Sequence, residues 1–274
     1  MKYAVLGTPI AHSRSPKLQM GFAAAAGISD FSYERIETDC PQLKATVDRL
    51  VSEGYGGFNC TMPLKTDMSL LADSLTHEAK LLRSVNTVAI KNGKLDCTTT
   101  DGGGIILTAK RAFGEGISGK KVLLLGAGGA ARSAALSLSL AGARLTILNR
   151  TESAAAELCD MIGGGVHAAL NDENLFEYSL GAELIVNCTS LGMSGKPEFA
   201  DLGFLKNAAS GGVVIDAVYN PLETRLLKTA RESGLYALSG IWMLVYQGAL
   251  AFEWWTGILP DEEACQMAFD EISK

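Results

Sequence analysis

Short apolar runs alternate with longer amphipathic segments along most of the chain. Residues 42–52 carry apolar side chains at helical spacing, whereas residues 121–125 and 144–148 are continuous apolar runs typical of buried strands. Asn92-Gly93 lies between two strand-like runs and predicts a tight hairpin turn. Strands that alternate with helices in this way predict an α/β fold with parallel sheets.

The same pattern predicts the other elements. Strands are predicted at residues 3–6, 31–38, 58–61, 85–91, 94–99, 183–186, 212–217 and 236–238. Helices are predicted from residue 65 onward and at residues 101–113, 153–162, 223–233, 241–255 and 261–272. The stretch from residue 163 to residue 182 is predicted to be a polar loop.

Residues 125–132 carry the clearest local motif. Gly126, Gly128 and Ala131 follow a predicted strand, match the pattern G-x-G-x-x-A and lead into an alanine-rich helix. In that pattern the first glycine makes a tight turn, the second lets the backbone approach a pyrophosphate, and the third position allows close packing of helix and strand. The motif therefore predicts a dinucleotide-binding turn, with a simple tight turn as the alternative.

The end of the next strand predicts which dinucleotide binds. A dinucleotide fold commonly places an acidic residue there, on the adenosine ribose, but this chain has Asn149-Arg150-Thr151. The guanidinium of Arg150 suits a phosphate, and Asn149 and Thr151 can donate hydrogen bonds. NADP is therefore predicted rather than NAD, with a merely solvated Arg150 as the alternative.

Charge and composition exclude some functions. A net charge of -6, a pI near 5.2 and the lack of clustered Lys and Arg argue against a nucleic-acid surface. Residues 240–259 are apolar but contain Gln247 and Glu253, so they predict a buried helix rather than a membrane span. The first residues have no apolar signal core, which predicts a cytoplasmic protein. The six cysteines form no C-x-x-C pair, and with scattered histidines they predict reduced thiols and no metal site.

Lys65 and Asp101 are the candidates for acid and base chemistry. The Tyr-x-x-x-Lys pair of short-chain dehydrogenases is absent from the sequence, and no His–Asp pair is evident. Lys65 lies in a predicted first helical turn, where the helix dipole disfavours a cation, and such a lysine suits general acid/base catalysis. Asp101 could hold the charge and orientation of Lys65, or could simply cap the helix that follows.

Polar side chains at strand ends and helix starts are candidate substrate ligands. Ser15 before Pro16 predicts a helix N-cap, and together with Ser13 the same geometry could bind a carboxylate. Four further residues lie at strand ends or within an apolar helix, and capping or core hydrogen bonding is the simpler explanation for each: Asn59, Thr61, Asn86 and Gln247.

Together these motifs resemble the shikimate dehydrogenase family, which includes shikimate/quinate dehydrogenases. The matching stretches follow the family's order over nearly the whole chain: Ser13-Arg14-Ser15-Pro16, Asn59-Cys60-Thr61-Met62-Pro63-Leu64-Lys65, Val85-Asn86-Thr87, Thr100-Asp101-Gly102, Gly126-Ala127-Gly128-Gly129-Ala130, Asn149-Arg150-Thr151, Asn187-Cys188-Thr189, Asp216-Ala217-Val218-Tyr219-Asn220-Pro221 and residues 240–247.

The resemblance implies a fold and an activity. It implies two α/β domains with a cleft between them, the second a Rossmann-like doubly wound parallel sheet. Residues 1–101 and 239–274 would bind substrate, and residues 102–238 would bind NADP. The implied reaction is the reversible reduction of 3-dehydroshikimate to shikimate with NADPH, in the aromatic amino-acid (chorismate) pathway. The implied partners are small molecules, without nucleic acid or membrane, for a monomer or homodimer.

The resemblance also implies roles for individual residues. The implied catalytic pair is Lys65 and Asp101, and which of them transfers the proton stays open. The implied substrate-binding residues are Ser13, Ser15, Asn59, Thr61, Lys65, Asn86, Asp101, Tyr219 and Gln247. The implied cofactor-binding residues are Gly126, Ala127, Gly128, Gly129, Ala130, Asn149, Arg150, Thr151, Thr189, Val218, Gly240 and Met243.

Departures from the family's pattern keep alternatives open. Thr99 and Trp242 replace a frequent Asn and Gly beside presumed substrate and nicotinamide residues, and Glu152 stands near a position where a second basic residue often occurs. One alternative is a quinate/shikimate dehydrogenase that uses NAD or NADP. The other is a non-catalytic NADP-binding regulator, against which the presence of Lys65 and Asp101 argues.

Overall fold

The computed structural model describes residues 1–114 and 116–274, which form two compact units. Unit 1 contains Met1–Thr100 and Val245–Lys274, and unit 2 contains Asp101–Leu244. The sequence prediction places the second division earlier, before residue 239. The difference arises because Gly240 lies against the backbone of Ala217 and Met243 packs on a hydrophobic cluster of unit 2.

Unit 1 contains a mixed six-stranded sheet with helices. Its strands are β1 Lys2–Gly7, β2 Ser32–Glu37, β3 Gly57–Cys60, β4 Ser74–Leu75, β5 Thr87–Lys91 and β6 Lys94–Thr98. Its helices are α1 Ser15–Ala25, α2 Leu43–Ser52, α3 Lys65–Leu71, α4 His77–Leu82, the larger part of α10 Gly240–Thr256, and α11 Glu262–Ile272. The strand order is β2-β1-β3-β5-β6-β4, with β5 antiparallel to both β3 and β6.

Local chemistry explains several of these elements. Asn92 and Gly93 have φ angles of 53° and 76°, so the predicted hairpin between β5 and β6 is confirmed. Trp255 of α10 packs on the sheet of this unit. The ring of Trp255 stacks on Tyr3 with a centroid distance of 4.7 Å, and its indole Nε1 donates to the Val88 carbonyl at 2.9 Å.

Unit 2 contains a sheet of six parallel strands. These are β7 Lys121–Leu125, β8 Arg144–Asn149, β9 Val166–Ala169, β10 Leu184–Asn187, β11 Val213–Asp216 and β12 Tyr236–Ser239. The helices are α5 Asp101–Phe113, α6 Gly129–Leu140, α7 Glu152–Met161, α8 Asp172–Tyr178 and α9 Arg225–Glu232, with a short 3₁₀ helix at Gly203–Asn207 and the start of α10. The strand order β9-β8-β7-β10-β11-β12 is that of a doubly wound dinucleotide-binding sheet, and all pairings are parallel. The predicted fold class of two α/β domains, the second Rossmann-like, is therefore confirmed.

The predicted polar loop at residues 163–182 is wrong, because it contains β9 and α8. β9 is a four-residue edge strand whose Val166 and His167 are exposed, so it lacks the apolar run that marks the interior strands. In unit 1, the two-residue strand β4 and the six-residue helix α4 are also too short to give a periodic signal.

Within the described residues, no helix is long and apolar enough to cross a membrane. The described part of the chain also holds no group of three or more His, Cys, Asp or Glu that could bind a metal ion. The six cysteines are free thiols.

Candidate active site

The glycine turn of unit 2 joins the carboxyl end of β7 to α6. Gly126 has a φ angle of +109°, and a Cβ there would lie 3.0 Å from the Cys188 carbonyl oxygen, so a side chain at this position is strained. A Cβ at Gly128 or Gly129 would meet no described atom within 4 Å. The space beside these two glycines is therefore open at the N-terminus of α6, where unpaired backbone N–H groups and the positive end of the helix dipole favour an anion such as a pyrophosphate.

A pocket of about 450 Å³ lies beside this turn, within unit 2. Its walls include four short segments: residues 126–128, residues 149–151, residues 170–172 and residues 188–191. These segments follow β7, β8, β9 and β10, where a doubly wound sheet binds its ligand.

The loop after β8 has a defined shape. The Asn149 side-chain amide donates to the Thr151 carbonyl at 2.9 Å, and the carbonyl of Asn149 accepts from the Leu170 N–H at 3.0 Å. Arg150 is exposed and lines the pocket. Burial raises the pKa of the Cys188 thiol to about 12, so this pocket residue stays neutral.

The pocket brings together some of the expected cofactor residues. Those that line it are Gly126, Ala127, Gly128, Asn149, Arg150, Thr151 and Thr189. Gly129 and Ala130 open α6, and Gly240 opens α10. Val218 is buried just after β11, and Met243 packs on a hydrophobic cluster of unit 2.

A buried carboxylate supports one wall of this pocket, and the sequence patterns indicated no role for it. Asp216 at the end of β11 accepts hydrogen bonds from the Thr224 hydroxyl at 2.6 Å, the Asn187 amide at 2.9 Å and the Val218 N–H at 3.1 Å. Burial raises the pKa of Asp216 above its ordinary value, and these three donors partly oppose that rise. The signal in the sequence was the pair of polar residues, Asn187 and Asp216, that ends two neighbouring apolar strands.

Asn187 connects this carboxylate to the pocket. Its amide also donates to the Leu191 carbonyl at 3.2 Å, and its Oδ1 accepts from the Thr189 hydroxyl at 2.6 Å and the Thr189 N–H at 3.0 Å. The turn at residues 189–191, which lines the pocket, is thus held in place by a buried network.

Unit 1 contains a second buried network, built around Asn59 at the end of β3. Asn59 Oδ1 accepts from the Tyr33 hydroxyl at 2.6 Å, and its amide donates to the Asn86 carbonyl and the Thr87 hydroxyl, both at 3.0 Å. Both amide hydrogens of Asn59 therefore have partners inside the protein. Tyr33 is a partner that sequence reasoning missed, because it lies on β2 within an alternating pattern that looks purely structural.

Asn86 joins this network to α10. Its amide donates to the Thr100 hydroxyl at 2.9 Å and to Gln247 Oε1 at 3.2 Å, and its Oδ1 accepts from the Thr100 N–H at 2.9 Å. Asn86 is 2% exposed. Three of the expected substrate residues, Asn59, Asn86 and Gln247, are thus brought together within unit 1, although Gln247 is distant from the other two in sequence.

The Ser13 to Pro16 segment differs from its predicted capping role. The N-cap of α1 is Arg14, whereas Ser15 is the first helical residue and Pro16 follows it, so the predicted Ser15 cap is wrong. Ser13 Oγ accepts from the Ser15 N–H at 3.3 Å. The Ser13 carbonyl accepts two hydrogen bonds from the guanidinium of Arg35, at 3.0 and 2.6 Å, which fixes the loop.

The remaining expected residues lie at element ends. Lys65 is the first residue of α3 in unit 1, as its pattern predicts, and Thr61 directly follows β3. Asp101 belongs to unit 2, where it opens α5 and is 8% exposed. A carboxylate in a first turn is favoured by the helix dipole. Tyr219 also belongs to unit 2 and is 45% exposed.

Comparison with known proteins identifies the family. Residues 5–88 match the shikimate dehydrogenase substrate binding domain, residues 107–193 match shikimate / quinate 5-dehydrogenase, and residues 240–268 match the shikimate 5'-dehydrogenase C-terminal domain. A curated shikimate dehydrogenase (NADP(+)) of Geobacter sp. (strain M21) is 39% identical over an aligned length of 276 residues. The aligned region covers 96% of this chain and 92% of that protein.

Similar solved structures include a shikimate dehydrogenase and an enzyme named for a different activity. Shikimate 5-dehydrogenase of Thermus thermophilus, in complex with NADP(H) and shikimate, has a TM-score of 0.84 and 35% identity, covering 99% of each chain. The ligand-free 5-ketofructose reductase of Gluconobacter sp. strain CHM43 has a TM-score of 0.86 and 32% identity, covering 99% of this chain and 98% of that one. On this similarity over almost its full length, the chain belongs to the shikimate dehydrogenase family.

Proposed function

We propose that this protein is an NADP-dependent shikimate dehydrogenase that reversibly reduces 3-dehydroshikimate to shikimate in the aromatic amino-acid pathway of the cytoplasm. Unit 1 supplies the substrate side, and unit 2 supplies the cofactor side. The observation that carries the proposal is the convergence of Asn59, Asn86 and Gln247, polar residues of the family's motifs, on one buried network in unit 1.

Substrate binding is assigned to polar groups of unit 1. The hydroxyls of Ser13 and Ser15 hold the carboxylate of shikimate, on a loop that Arg35 fixes through the Ser13 carbonyl. Thr61 and Gln247 face the ring hydroxyls. Asn59 and Asn86 support them rather than donating to the substrate, because both amide hydrogens of each are used within the protein. Tyr219 of unit 2 is assigned a substrate-binding role as well.

The acid and base chemistry is assigned to Lys65 and Asp101. When bound, NADPH supplies a hydride to the carbonyl carbon of 3-dehydroshikimate. The ammonium of Lys65 donates a proton to the oxygen of that carbonyl as the alkoxide develops, and takes the proton back in the oxidation direction. Asp101 is assigned as the second residue of the catalytic pair, because a carboxylate favours the charged form of a lysine. The sum of the reaction is 3-dehydroshikimate, NADPH and one proton giving shikimate and NADP⁺.

Cofactor binding is assigned to the glycine turn and the pocket beside it. The open space over Gly128 and Gly129 fits a pyrophosphate at the N-terminus of α6. The exposed guanidinium of Arg150 fits the 2'-phosphate that distinguishes NADP from NAD. Val218, Gly240 and Met243 complete the cofactor side of unit 2.

Steady-state rates test the assignment of Lys65. In Lys65→Ala, kcat for shikimate oxidation with NADP should fall by about 10²- to 10⁴-fold, while the KM for shikimate stays within a few-fold, because a proton donor is lost and not a binding group. Lys80→Ala, which removes an exposed lysine from α4 in the same unit, is the matched control and should keep the wild-type rate. An unchanged kcat in Lys65→Ala contradicts the role.

Substrate breadth has a second candidate, because the model matching residues 107–193 is described as shikimate / quinate 5-dehydrogenase. Rates with shikimate and quinate, each with NADP and with NAD, separate the two functions. A strong preference for shikimate supports the proposal, and comparable quinate rates replace it with the broader activity. Binding of NADP without turnover of either substrate supports a regulator on this fold.

A further inference from the structure

We propose that Asp172 weakens the preference of this protein for NADP over NAD by placing a negative charge in the cofactor pocket that Arg150 also lines. The inference rests on the proposed function and concerns cofactor choice within it. It predicts an enzyme that prefers NADP through Arg150 and retains measurable activity with NAD.

The position of Asp172 follows from the pairing of two strands. β9 lies beside β8 with Ala169 opposite Asn149, and the Leu170 N–H donates to the Asn149 carbonyl at 3.0 Å. The loop after β9 therefore starts next to the loop that carries Arg150. Asp172 follows three residues after Ala169, as the first residue of α8.

Two hydrogen bonds hold this loop in a fixed shape. The Asn171 side chain accepts from the Asn174 N–H at 2.8 Å, and the Asn174 amide donates to the Ala169 carbonyl at 2.7 Å. Both ends of the loop are thus anchored, and Asp172 is held where it lines the pocket with Arg150.

The charges around the pocket favour a cofactor with less negative charge. Among the described residues that line it, the charged side chains are Arg150, Asp172 and Glu198, which sum to a formal charge of -1. Glu152, the acid nearest to Arg150 in sequence, is hydrogen-bonded instead to His167 at 3.3 Å and does not line the pocket. A 2'-phosphate adds a charge of about -2, whereas the 2'-hydroxyl of NAD adds none.

The expected effect is modest, because Arg150 and Asp172 are both exposed to water. In water, Coulomb's law for charges of -1 and about -2 separated by about one screening length of ~10 Å corresponds to an affinity change of about 3- to 10-fold. At about 1 M salt the screening length is about 3 Å, so most of this effect should vanish.

The test compares Asp172→Asn with Glu173→Gln. Glu173 is the next residue, is exposed, lies in the same helical turn and is outside the pocket lining, so it carries the same charge at a neighbouring position. In Asp172→Asn, the ratio of kcat/KM for NADP to kcat/KM for NAD should rise about 3- to 10-fold at low salt. The change should come from a lower KM for NADP, with kcat/KM for NAD within about two-fold, and should largely vanish at about 1 M salt.

In Glu173→Gln the ratio should stay at the wild-type value. An unchanged ratio in Asp172→Asn, an equal rise in Glu173→Gln, or a rise caused by loss of activity with NAD each overturns the inference. Dissociation constants for NADP and NAD, measured by calorimetry, give the same ratio without turnover. A protein that binds both cofactors but turns over neither shikimate nor quinate therefore refutes the proposed function and leaves this test intact.

Discussion

The buried carboxylate of Asp216 offers a quantitative test of the network that supports the cofactor pocket. Asp216→Ala leaves the Thr224 hydroxyl, the Asn187 amide and the Val218 N–H without their acceptor in a site with no measurable exposure. Asp216→Asn preserves the shape and one acceptor oxygen. The Asn187 amide and the Val218 N–H both donate to Asp216 Oδ1, so the side-chain oxygen of the new Asn can keep that position. Its NH₂ group can then replace Oδ2, beside the Thr224 hydroxyl.

The two variants should differ clearly in stability. An orphaned buried donor costs about 1–3 kcal/mol, and Asn187 keeps its bond to the Leu191 carbonyl, so Asp216→Ala should lower the free energy of unfolding of unit 2 by about 3–5 kcal/mol. Asp216→Asn should cost about 0–1.5 kcal/mol near neutral pH, because it loses one charge-assisted bond but no longer buries a charge.

The pH dependence has a definite sign. Burial raises the pKa of Asp216 above its ordinary value of 3.8, so the folded state binds this proton more tightly than the unfolded state does. The resulting stabilisation is fully present below the unfolded pKa and is lost as the pH rises through the folded one. Asn cannot titrate, so the stability of the wild type relative to Asp216→Asn should fall with rising pH, by at most about 1.4 kcal/mol per pH unit, and then level off.

Hydrogen exchange of the amides in β10 and β11 measures this stability within unit 2, in the wild type and both variants from about pH 4 to pH 7. The KM for NADP should also rise in Asp216→Ala, because the turn at residues 189–191 loses its support. Equal losses of unfolding free energy in Asp216→Ala and Asp216→Asn would refute the cost assigned to the orphaned donors. A wild-type curve parallel to that of Asp216→Asn over this range would refute the raised pKa.

Two further substitutions probe the site. Tyr33→Phe removes the 2.6 Å hydrogen bond to Asn59 and should raise the KM for shikimate about 2- to 5-fold while the KM for NADP stays constant. Tyr55→Phe, whose hydroxyl contacts a surface glutamate, is the matched control, and an equal rise there would contradict a positioning role for Tyr33. Gly126→Ala forces a side chain to a φ angle of +109° and 3.0 Å from the Cys188 carbonyl, so NADP affinity should fall at least about 10-fold in a fluorescence titration. Wild-type affinity in Gly126→Ala would show that the turn does not approach the cofactor.

The sequence predicts those features whose cause is local. The hairpin at Asn92-Gly93 and the turn at Gly126 need positive φ angles. Glycine and asparagine adopt such angles more readily than other residues, so the residue types alone indicate where these turns lie. The order of the parallel sheet in unit 2 follows from alternating strands and helices together with a dinucleotide motif. These predictions use only neighbouring residues or the order of the elements along the chain.

Features that depend on distant contacts are not predictable in this way. Tyr33 acquires its role from Asn59 on another strand, and Asp216 acquires its role from Asn187, twenty-nine residues earlier. Asp172 opens the seven-residue helix α8, which follows the edge strand β9 and is too short to show apolar periodicity, so the pattern predicted neither the helix nor the residue. In each case the packing of the folded chain brings the residue next to its partner, and this packing cannot be read from a single sequence.

The division of unit 1 into two pieces of chain has a consequence for synthesis. Phe31 and Asn86 find their partners Phe252 and Gln247 only beyond the whole of unit 2. Unit 2 is one continuous segment, and domains generally fold as units during translation, so its parallel sheet can form while the ribosome is still working. The polar network around Asn86 must wait for the final thirty residues, Val245–Lys274. The nascent protein should therefore become able to hold a dinucleotide before it can hold a substrate.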